Sequence, residues 1–298
     1  MSADPVIVLA AFGAGQPEGL DGIMAVRNRV QTVFPSLRVE LSFTSRFMRN
    51  RWRERRTDDS FRAKHPEISP ELYEIKSPLA AVAQLGDDGM DTIIVQPLHV
   101  FAGEEYANLQ SMVRALNSIE TVKPRQRLFK QVILGRPALG EPGPRHPYLE
   151  DIDRAVDSLA LDAEKARSQN AALVYVGHGN RFYPSSAYME FESAFRQRFP
   201  DLTVFVGVVE GFPGPEPLVE RLKHVGAERV HLYPLLLVVG VHAGEDLAGD
   251  EDGSFKSALE KAGMQVEFFP RPLGGVDSWA DIYIEHIRQA AEDHGIAL

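Results

Sequence analysis

The chain has 298 residues, which at roughly 150 residues per domain predicts about two domains, and its 44% hydrophobic and 25% charged residues are typical of a soluble globular protein. Its 32 Lys and Arg against 42 Asp and Glu give a net charge of −10, which disfavours non-specific nucleic-acid binding. The chain has no cysteine, which excludes disulfides, thiolate zinc sites, iron–sulfur clusters and cysteine nucleophiles, so any metal must be held by His, Asp, Glu or water.

Membrane and export signals are weak. The N-terminus lacks a basic segment, and the longest apolar run, Leu235–Val239, is far shorter than the ~20 residues that a membrane span needs. We therefore expect a cytoplasmic protein with no membrane partner, the alternative being a precursor whose export signal was removed.

Short β-rich runs alternate with helical stretches. A helix is predicted from about Leu20 to Phe34, because Ile23, Val26 and Val30 recur at three- and four-residue spacing. Continuous apolar strands with helical crossovers predict a parallel, doubly wound sheet. The strands predicted in the first half are Val6–Ala10, Arg38–Phe43, Thr92–Gln96 and Gln131–Leu134.

The second half repeats this pattern. The strand Leu173–Val176 leads into Gly177-His178-Gly179 as the first strand leads into Ala11-Phe12-Gly13, so Phe12 matches His178. Three further motif pairs follow in the same order: Gln96-Pro97-Leu98 with Tyr233-Pro234-Leu235, Ala102-Gly103-Glu104-Glu105 with Ala243-Gly244-Glu245-Asp246, and Arg136-Pro137 with Arg271-Pro272.

Two similar, Rossmann-like α/β lobes are therefore predicted, residues 1–143 and residues 144–298. The Pro- and Gly-rich segment 140–144 is the expected linker. The last helix, about Ser278 to Asp293, is expected to cross back and brace the first lobe.

The first lobe carries an arginine-rich insertion. The interval from Val39 to Thr92 is 53 residues and the matching interval from Val204 to Val230 is 26, so the insertion is about 27 residues long. Six arginines and one glutamate give its segment 46–56 a charge of +5. The segment is either a solvated helix face or a site for carboxylates or phosphates, which arginine binds in bidentate fashion. The candidate binding residues are Arg46, Arg49, Arg51 and Arg53, and the interleaved Phe47, Met48 and Trp52 suit a flat, apolar ligand with an anionic rim.

Ligands of open parallel sheets bind beyond the carboxyl ends of the strands. In the second lobe His178, Glu210 and His242 follow three predicted strands, the third of which is expected to run over Val230–Val239. Two imidazoles and a carboxylate form an open site for a divalent ion such as cobalt, iron, nickel or zinc. Alternatively, His178 lies in a simple tight turn and Glu210 caps the next helix.

Two further segments of the sequence bear on ligand binding. Glu104 and Glu105 begin a helix, where acidic charge is favourable in itself, and they are also a candidate carboxylate pair for a ligand. The segment Gly13–Gly19 departs from phosphate-loop spacing, so no nucleotide is expected.

With these motifs the chain resembles the CbiK family of class II chelatases, which insert cobalt into sirohydrochlorin in anaerobic cobalamin synthesis. The resemblance covers essentially the whole chain and depends on five motifs: Gln96–Val100, Gly103–Tyr106, Gly177–Gly179, Val209–Pro213, and Pro234–Val238 with His242-Ala243 and Asp246–Asp250.

The resemblance implies two ferrochelatase-like lobes around a tetrapyrrole cleft. It also implies that His178 and His242 bind the metal with a carboxylate, for which Glu210 is favoured over Glu104 and Glu105. Phe12 is expected to pack on the ring face, and the arginine segment to bind the eight carboxylates of sirohydrochlorin, a precorrin-2-type tetrapyrrole.

The chain departs from the family pattern at three positions. Ala11 and Ala14 stand where relatives commonly have Ser or Thr, which puts in doubt a hydroxyl contact to the macrocycle. Val241 stands at a position that is often acidic, so the surroundings of His242 are expected to differ.

The expected activity is therefore Co²⁺ insertion into sirohydrochlorin, with Fe²⁺ for sirohaem and Ni²⁺ as further candidate metals. The competing hypotheses are a two-lobed carrier of tetrapyrrole or metal without turnover, and a His/carboxylate metallohydrolase. The sequence leaves the oligomeric state open, a homo-oligomer being one alternative.

Overall fold

The computed structural model describes residues 4–123, 126–143, 145–182, 186–249 and 253–298, without the side chains of residues 241–243. Pro144 of the expected linker and Asp250 of the family motif lie outside the described residues. The chain divides into two units. The N-terminal unit comprises residues up to Pro137 together with Ala280–Leu298, and the C-terminal unit is Ala138–Trp279.

The N-terminal unit is built on a four-stranded parallel sheet of order β2-β1-β3-β4. Its strands are β1 Val6–Ala11, β2 Val39–Phe43, β3 Thr92–Pro97 and β4 Gln131–Leu134. Its helices are α1 Leu20–Val33, α2 Arg46–Arg55, α3 Asp59–Lys64, α4 Pro78–Asp87, α5 Glu104–Asn117 and most of the last helix of the chain. The first strand is buried throughout, as its uninterrupted apolar sequence predicts.

The C-terminal unit has the same topology, with strand order β6-β5-β7-β8 and parallel pairing throughout. Its strands are β5 Ala172–Gly179, β6 Val204–Glu210, β7 Arg229–Pro234 and β8 Gln265–Phe268. Its helices are α6 Tyr148–Ser158, α7 Ala160–Ser168, α8 Ser186–Arg198, α9 Pro215–His224, α10 Val241–Ala248 and α11 Phe255–Lys261. The prediction of two similar, doubly wound lobes with parallel sheets is confirmed.

The last helix, α12 Asp277–Asp293, begins at the end of the C-terminal unit and continues in the N-terminal unit. There the guanidinium of Arg29 donates two hydrogen bonds, of 2.9 and 3.0 Å, to the carboxylate of Asp281. His286 is fully buried, and its Nδ1 lies 3.0 Å from the backbone oxygen of Arg136. These contacts join the last helix to residues far earlier in the chain.

The inserted segment of the N-terminal unit is helical. Helices α2 and α3 occupy it, and each begins with a side-chain cap, since Ser45 accepts from the backbone N–H of Met48 and Asp58 from that of Phe61. A short 3-10 helix at Pro70–Glu74 follows before α4. The second unit has a turn of four residues between β6 and α9 at the matching place.

Three strand ends in the C-terminal unit differ from prediction. Strand β5 extends to Gly179 and β6 to Glu210, so the motif Gly177–Gly179 forms the end of a strand rather than a loop. Strand β7 ends at Pro234, well short of Val239. The apolar run after it is buried in a loop, and an apolar run alone does not distinguish a strand from a buried loop.

Strand register defines which residues of the two units are equivalent. Ala10 pairs with Pro97 in one sheet and Val176 pairs with Pro234 in the other, which confirms that Phe12 and His178, each two residues further along, are counterparts. The two prolines are each followed seven residues later by the first residue of a helix.

The helix starts correct one predicted motif pair. Because α5 begins at Glu104 and α10 at Val241, the counterpart of Glu105 is His242, not Asp246. The expected match of residues 102–105 with residues 243–246 was therefore shifted by one helical turn. Small and acidic residues recur at both places, and that similarity is too weak to fix an alignment.

Among the described residues, no helix combines the length and the apolar character that crossing a bilayer requires.

Candidate metal and substrate site

His178 lies at the carboxyl end of β5, the central strand next to both β6 and β7. Its side chain is exposed, although the residues on both sides of it are buried. Nδ1 lies 3.2 Å from the backbone oxygen of Gly179, so a proton on Nδ1 can be donated to that carbonyl. In that tautomer Nε2 carries the free lone pair, the arrangement typical of a metal-ligating histidine.

The two glycines beside His178 are required by close contacts. A Cβ on Gly177 would lie 2.6 Å from the ring of Tyr188, and a Cβ on Gly179 would lie 1.9 Å from the backbone oxygen of Glu210. Gly179 also has a φ of 73°, in the left-handed region that favours glycine. A tight turn therefore explains the glycine at position 179 but not the one at position 177, which is required by packing against Tyr188.

Tyr188 of α8 supports this strand end and was not singled out from the sequence. Its ring is buried against Gly177, and backbone groups of His178 and Gly179 hydrogen-bond to its hydroxyl. Burial raises the pKa of Tyr188 well above its usual value, so the hydroxyl stays protonated at neutral pH. Sequence spacing gives no signal for this contact.

Glu210 is the last residue of β6 and is half-buried. Its Oε1 lies 3.8 Å from Nε of Arg181, which is itself largely exposed. It does not cap the next helix, because α9 begins at Pro215 after Gly214 and has no side-chain cap. The capping alternative is therefore wrong, and the carboxylate is available for another role.

The register of β5 and β6 places His178 and Glu210 on opposite faces of the sheet. Val174 and Val176 pack in the core formed with α9, α10 and α11, so His178, two residues further along, projects to that face. In β6 it is Phe205 and Val209 that contact this core. Glu210, next to Val209, alternates to the other face.

His242 is the second residue of α10, two residues after the N-cap residue Gly240. The side chain of His242 lies outside the described part of the structure. Its backbone position nevertheless matters, because α10 covers the same face of the sheet to which His178 projects. Among the described side chains, no group of three or more His, Asp or Glu residues lies close enough to hold a metal ion.

Phe12 and the Glu104–Glu105 pair hold the equivalent positions in the N-terminal unit. Phe12 follows β1 with its ring 46% exposed, and Ala10 before it packs in the core beneath α4 and α5. The acidic pair forms the first turn of α5, as predicted. Glu104 is exposed and Glu105 is half-buried.

The predicted arginine segment is helix α2, and its arginines differ in what they contact. Arg46, Arg51 and Arg53 are exposed, whereas Arg49 donates from Nη1 to the backbone oxygens of Phe43 at 2.5 Å and Thr44 at 2.7 Å. Burial lowers the pKa of Arg49, as do Arg53 and Arg46, while Glu105 acts in the opposite direction.

Trp52 does not face a ligand, contrary to the expectation from sequence. Its side chain is fully buried, and its indole N–H donates to the backbone oxygen of Ala14 at 2.7 Å. The rings of Phe61 and Tyr73 meet it edge to face, and the guanidinium of Arg55 lies 4.7 Å from its centroid. Trp52 therefore anchors α2 to the unit, while Arg46, Arg51 and Arg53 stay exposed.

His99 lies two residues beyond the end of β3. Both ring nitrogens are buried and have no hydrogen-bond partner among the described residues. Burial lowers the pKa of His99 to about 4, so the ring is neutral at physiological pH. Because protonation of this buried ring is unfavourable, His99 makes the stability of the fold depend on pH.

A cavity of about 580 Å³ lies elsewhere in the C-terminal unit, beside the start of β6. Its arginines, Arg196 and Arg221, both pair with the buried carboxylate of Glu192. That carboxylate also accepts a hydrogen bond of 2.7 Å from the backbone N–H of Val206. The network therefore provides a partner for a backbone N–H of the edge strand β6. We assign this cavity no part in the site at the carboxyl ends of the strands.

Comparison with known proteins identifies the family. The sequence model of the CbiK family, described as cobalt chelatase, matches residues 5–292. The chain belongs to the CbiK family. A relative named sirohydrochlorin cobaltochelatase CbiKC, from Nitratidesulfovibrio vulgaris, is 29% identical over 284 residues, which cover 95% of this chain and 89% of the relative. The sirohydrochlorin cobaltochelatase of Salmonella typhimurium is 28% identical over 218 residues, 73% of this chain and 75% of that protein.

The CbiK fold extends to more distant structures. SirB from Bacillus subtilis, solved with Fe³⁺, superimposes with a TM-score of 0.63 over 98% of both chains, at 13% sequence identity. At that identity the likeness concerns the fold alone. It shows that the two-sheet architecture of this CbiK member is shared with a protein of very different sequence.

Proposed function

We propose that this CbiK member inserts Co²⁺ into sirohydrochlorin. The observation that carries the proposal is the match of residues 5–292 to the cobalt chelatase family. The two relatives described above are named sirohydrochlorin cobaltochelatase, which supports cobalt as the metal and sirohydrochlorin as the acceptor. Fe²⁺ and Ni²⁺ are the further candidate metals, and we expect no nucleotide to take part.

Metal insertion exchanges two protons for one divalent ion. The two pyrrole N–H groups of the macrocycle lose their protons, the four ring nitrogens bind the metal, and two protons leave to bases or to water. Neutral imidazoles suit this reaction because they accept protons near neutral pH and bind borderline ions without holding them too tightly. The absence of cysteine from the sequence leaves only such labile ligands.

We assign metal binding to His178 and His242. The exposed ring of His178, with Nε2 free in the tautomer that its backbone contact favours, supports the first assignment. The start of α10 on the same face of the sheet supports the second. Both residues are also the candidate proton acceptors.

A carboxylate completes the proposed ligand set, and Glu210 and the Glu104–Glu105 pair compete for this place. Glu210 follows the strand next to His178 but alternates to the other face of the sheet and pairs with Arg181. Glu105 occupies in its own unit the position that His242 occupies in the other. Equivalence between the two units does not show which side chains share one metal ion. We keep Glu210 as the favoured carboxylate ligand, because it ends the strand that pairs with the strand of His178 in the same unit, with Glu104 and Glu105 as the alternatives.

We assign macrocycle binding to Phe12 and to the exposed arginines of α2. The partly exposed phenyl ring of Phe12 offers an apolar surface, and Arg46, Arg51 and Arg53 offer exposed guanidinium groups for the ring carboxylates. Arg49 is proposed to act with them, although its guanidinium also orders the end of β2.

An anaerobic assay with sirohydrochlorin and Co²⁺ tests the proposal through the visible spectrum. We expect protein-dependent metallation with many turnovers per chain. A spectral shift that stops at one equivalent, without faster metallation, would indicate a carrier instead. Phosphatase or esterase activity that rises with Zn²⁺, without metallation, would indicate a metallohydrolase. Equimolar Co²⁺ and Fe²⁺ in the same assay determine which metal the enzyme inserts faster.

A further inference from the structure

Exposed phenylalanines of the described residues gather at the carboxyl ends of the strands. Four phenylalanine side chains are largely exposed: Phe12 at 46%, Phe47 at 67%, Phe182 at 82% and Phe212 at 71%. They follow β1, β2, β5 and β6 respectively, each within four residues of the end of its strand. Exposed aromatic rings concentrated at a ligand-binding edge indicate a surface that an apolar ligand covers.

Two of these rings occupy equivalent positions. Phe43 pairs with Ala11 in one sheet, and Val208 pairs with Gly177 in the other. Phe47 lies four residues after Phe43, and Phe212 lies four residues after Val208. The insertion that forms α2 begins next to Phe47, yet an exposed ring is present in both units at this place.

The turns of the C-terminal unit hold their rings in defined positions. The backbone N–H of Phe182 donates to the side-chain oxygen of Asn180 at 2.7 Å. The turn that carries Phe212 folds back on β6, where Val208 donates to the backbone oxygen of Pro213 at 2.8 Å. The backbone at both residues is therefore ordered while the rings stay exposed.

A positive charge lies between these two turns. Arg181 precedes Phe182, and its guanidinium reaches Glu210, two residues before Phe212. The ion pair spans 3.8 Å between side chains that are 75% and 36% exposed, so it is weak and can exchange for another anion. Two rings with one exchangeable guanidinium match a flat apolar molecule that carries carboxylates.

We propose that Phe182 and Phe212 form an apolar platform for the tetrapyrrole macrocycle in the C-terminal unit, with Arg181 binding one of its peripheral carboxylates. This inference rests on the proposed function, since it takes sirohydrochlorin as the ligand. His178, in the last residues of β5, lies four residues before Phe182 in the chain. The rings position the macrocycle and take no part in metal binding.

Alanine variants at each ring test the platform. The affinity of the full chain for metal-free sirohydrochlorin is measured by absorbance titration, and insertion kinetics are measured with each substrate varied. We expect Phe182→Ala and Phe212→Ala each to weaken tetrapyrrole binding about three- to tenfold and to raise its KM similarly. The KM for Co²⁺ should stay unchanged, and Phe182→Tyr and Phe212→Tyr should bind like the wild type.

Leu161→Ala is the matched control, because it truncates an apolar side chain that is 75% exposed on helix α7 and does not follow a strand. Wild-type tetrapyrrole affinity in both alanine variants would overturn the platform while leaving the proposed function intact, provided that the wild-type chain metallates sirohydrochlorin. A rise in the KM for Co²⁺ alone would also overturn it. A wild-type chain that neither binds nor metallates sirohydrochlorin would overturn both.

Discussion

Phe12 and His178 occupy the same position in the two units. In each unit, one residue of the central strand pairs with the proline that ends the third strand, and Phe12 or His178 lies two residues beyond that paired residue. Glu105 and His242 are related in the same way through the starts of α5 and α10. One unit therefore carries a phenyl ring and a carboxylate where the other carries two imidazoles. This difference agrees with the proposed roles, metal binding for the imidazoles and macrocycle contact for Phe12.

The carboxylate of the metal site is tested by single amide variants. We expect Glu210→Gln to lower the rate of Co²⁺ insertion at limiting metal at least tenfold, because an amide loses the negative charge that a divalent ion requires. We expect Glu105→Gln and Glu104→Gln to have smaller effects, because these residues are only the alternative ligands. The rates are measured at several Co²⁺ concentrations. A larger loss in Glu105→Gln or Glu104→Gln than in Glu210→Gln would reverse the assignment.

The exposed arginines of α2 are tested through substrate affinity. We expect the double variant Arg51→Gln/Arg53→Gln to raise the KM for sirohydrochlorin about three- to tenfold and to leave the KM for Co²⁺ unchanged, because exposed charge pairs contribute up to about 1 kcal/mol each. The effect should shrink with added salt. Arg62→Gln on α3 is the control, since Arg62 is exposed and lies 3.8 Å from Asp59. An unchanged KM for the tetrapyrrole would make the arginines a solvated helix face.

The buried ring of His99 predicts a loss of stability in acid. The pKa of His99 falls from 6.5 to about 4 on folding, so below pH 6.5 the unfolded chain binds the proton more readily. Its contribution to stability is full above pH 6.5 and is lost as the pH falls toward 4.

Urea unfolding of the wild type and of His99→Leu, at pH 7.5 and pH 5.0, measures this contribution. We expect the wild type to lose about 2 kcal/mol more than the variant between the two pH values. Leucine suits this site because the imidazole nitrogens make no hydrogen bonds there among the described residues. Equal losses in the two proteins would mean that His99 is already paired or hydrated.

Much of the architecture could be predicted from sequence because the strands are continuous apolar runs bounded by Gly and Pro. The strand Gln131–Leu134 was predicted with its observed bounds, and the helix after Gly103 begins at Glu104 as expected. The end of β7 was missed because Leu235–Val239 is equally apolar inside a buried loop. Periodicity carries no information about such a loop.

The candidate site could be predicted only in part from the sequence. The residues at strand ends could be named, since a parallel sheet gathers its carboxyl ends at one edge. Which face each one projects to required the strand register, which separates Glu210 from His178. The burial of Trp52 and the support from Tyr188 depend on long-range packing, and neither leaves a pattern along the chain.

The most direct test of the central claim is the rate of Co²⁺ insertion into sirohydrochlorin by His178→Ala and His242→Ala at low metal concentration, under anaerobic conditions. We predict that the wild-type chain accelerates metallation and that either substitution abolishes the acceleration, while circular dichroism shows an unchanged fold. Wild-type rates in both single variants would contradict the assignment of these histidines as the metal-binding centre.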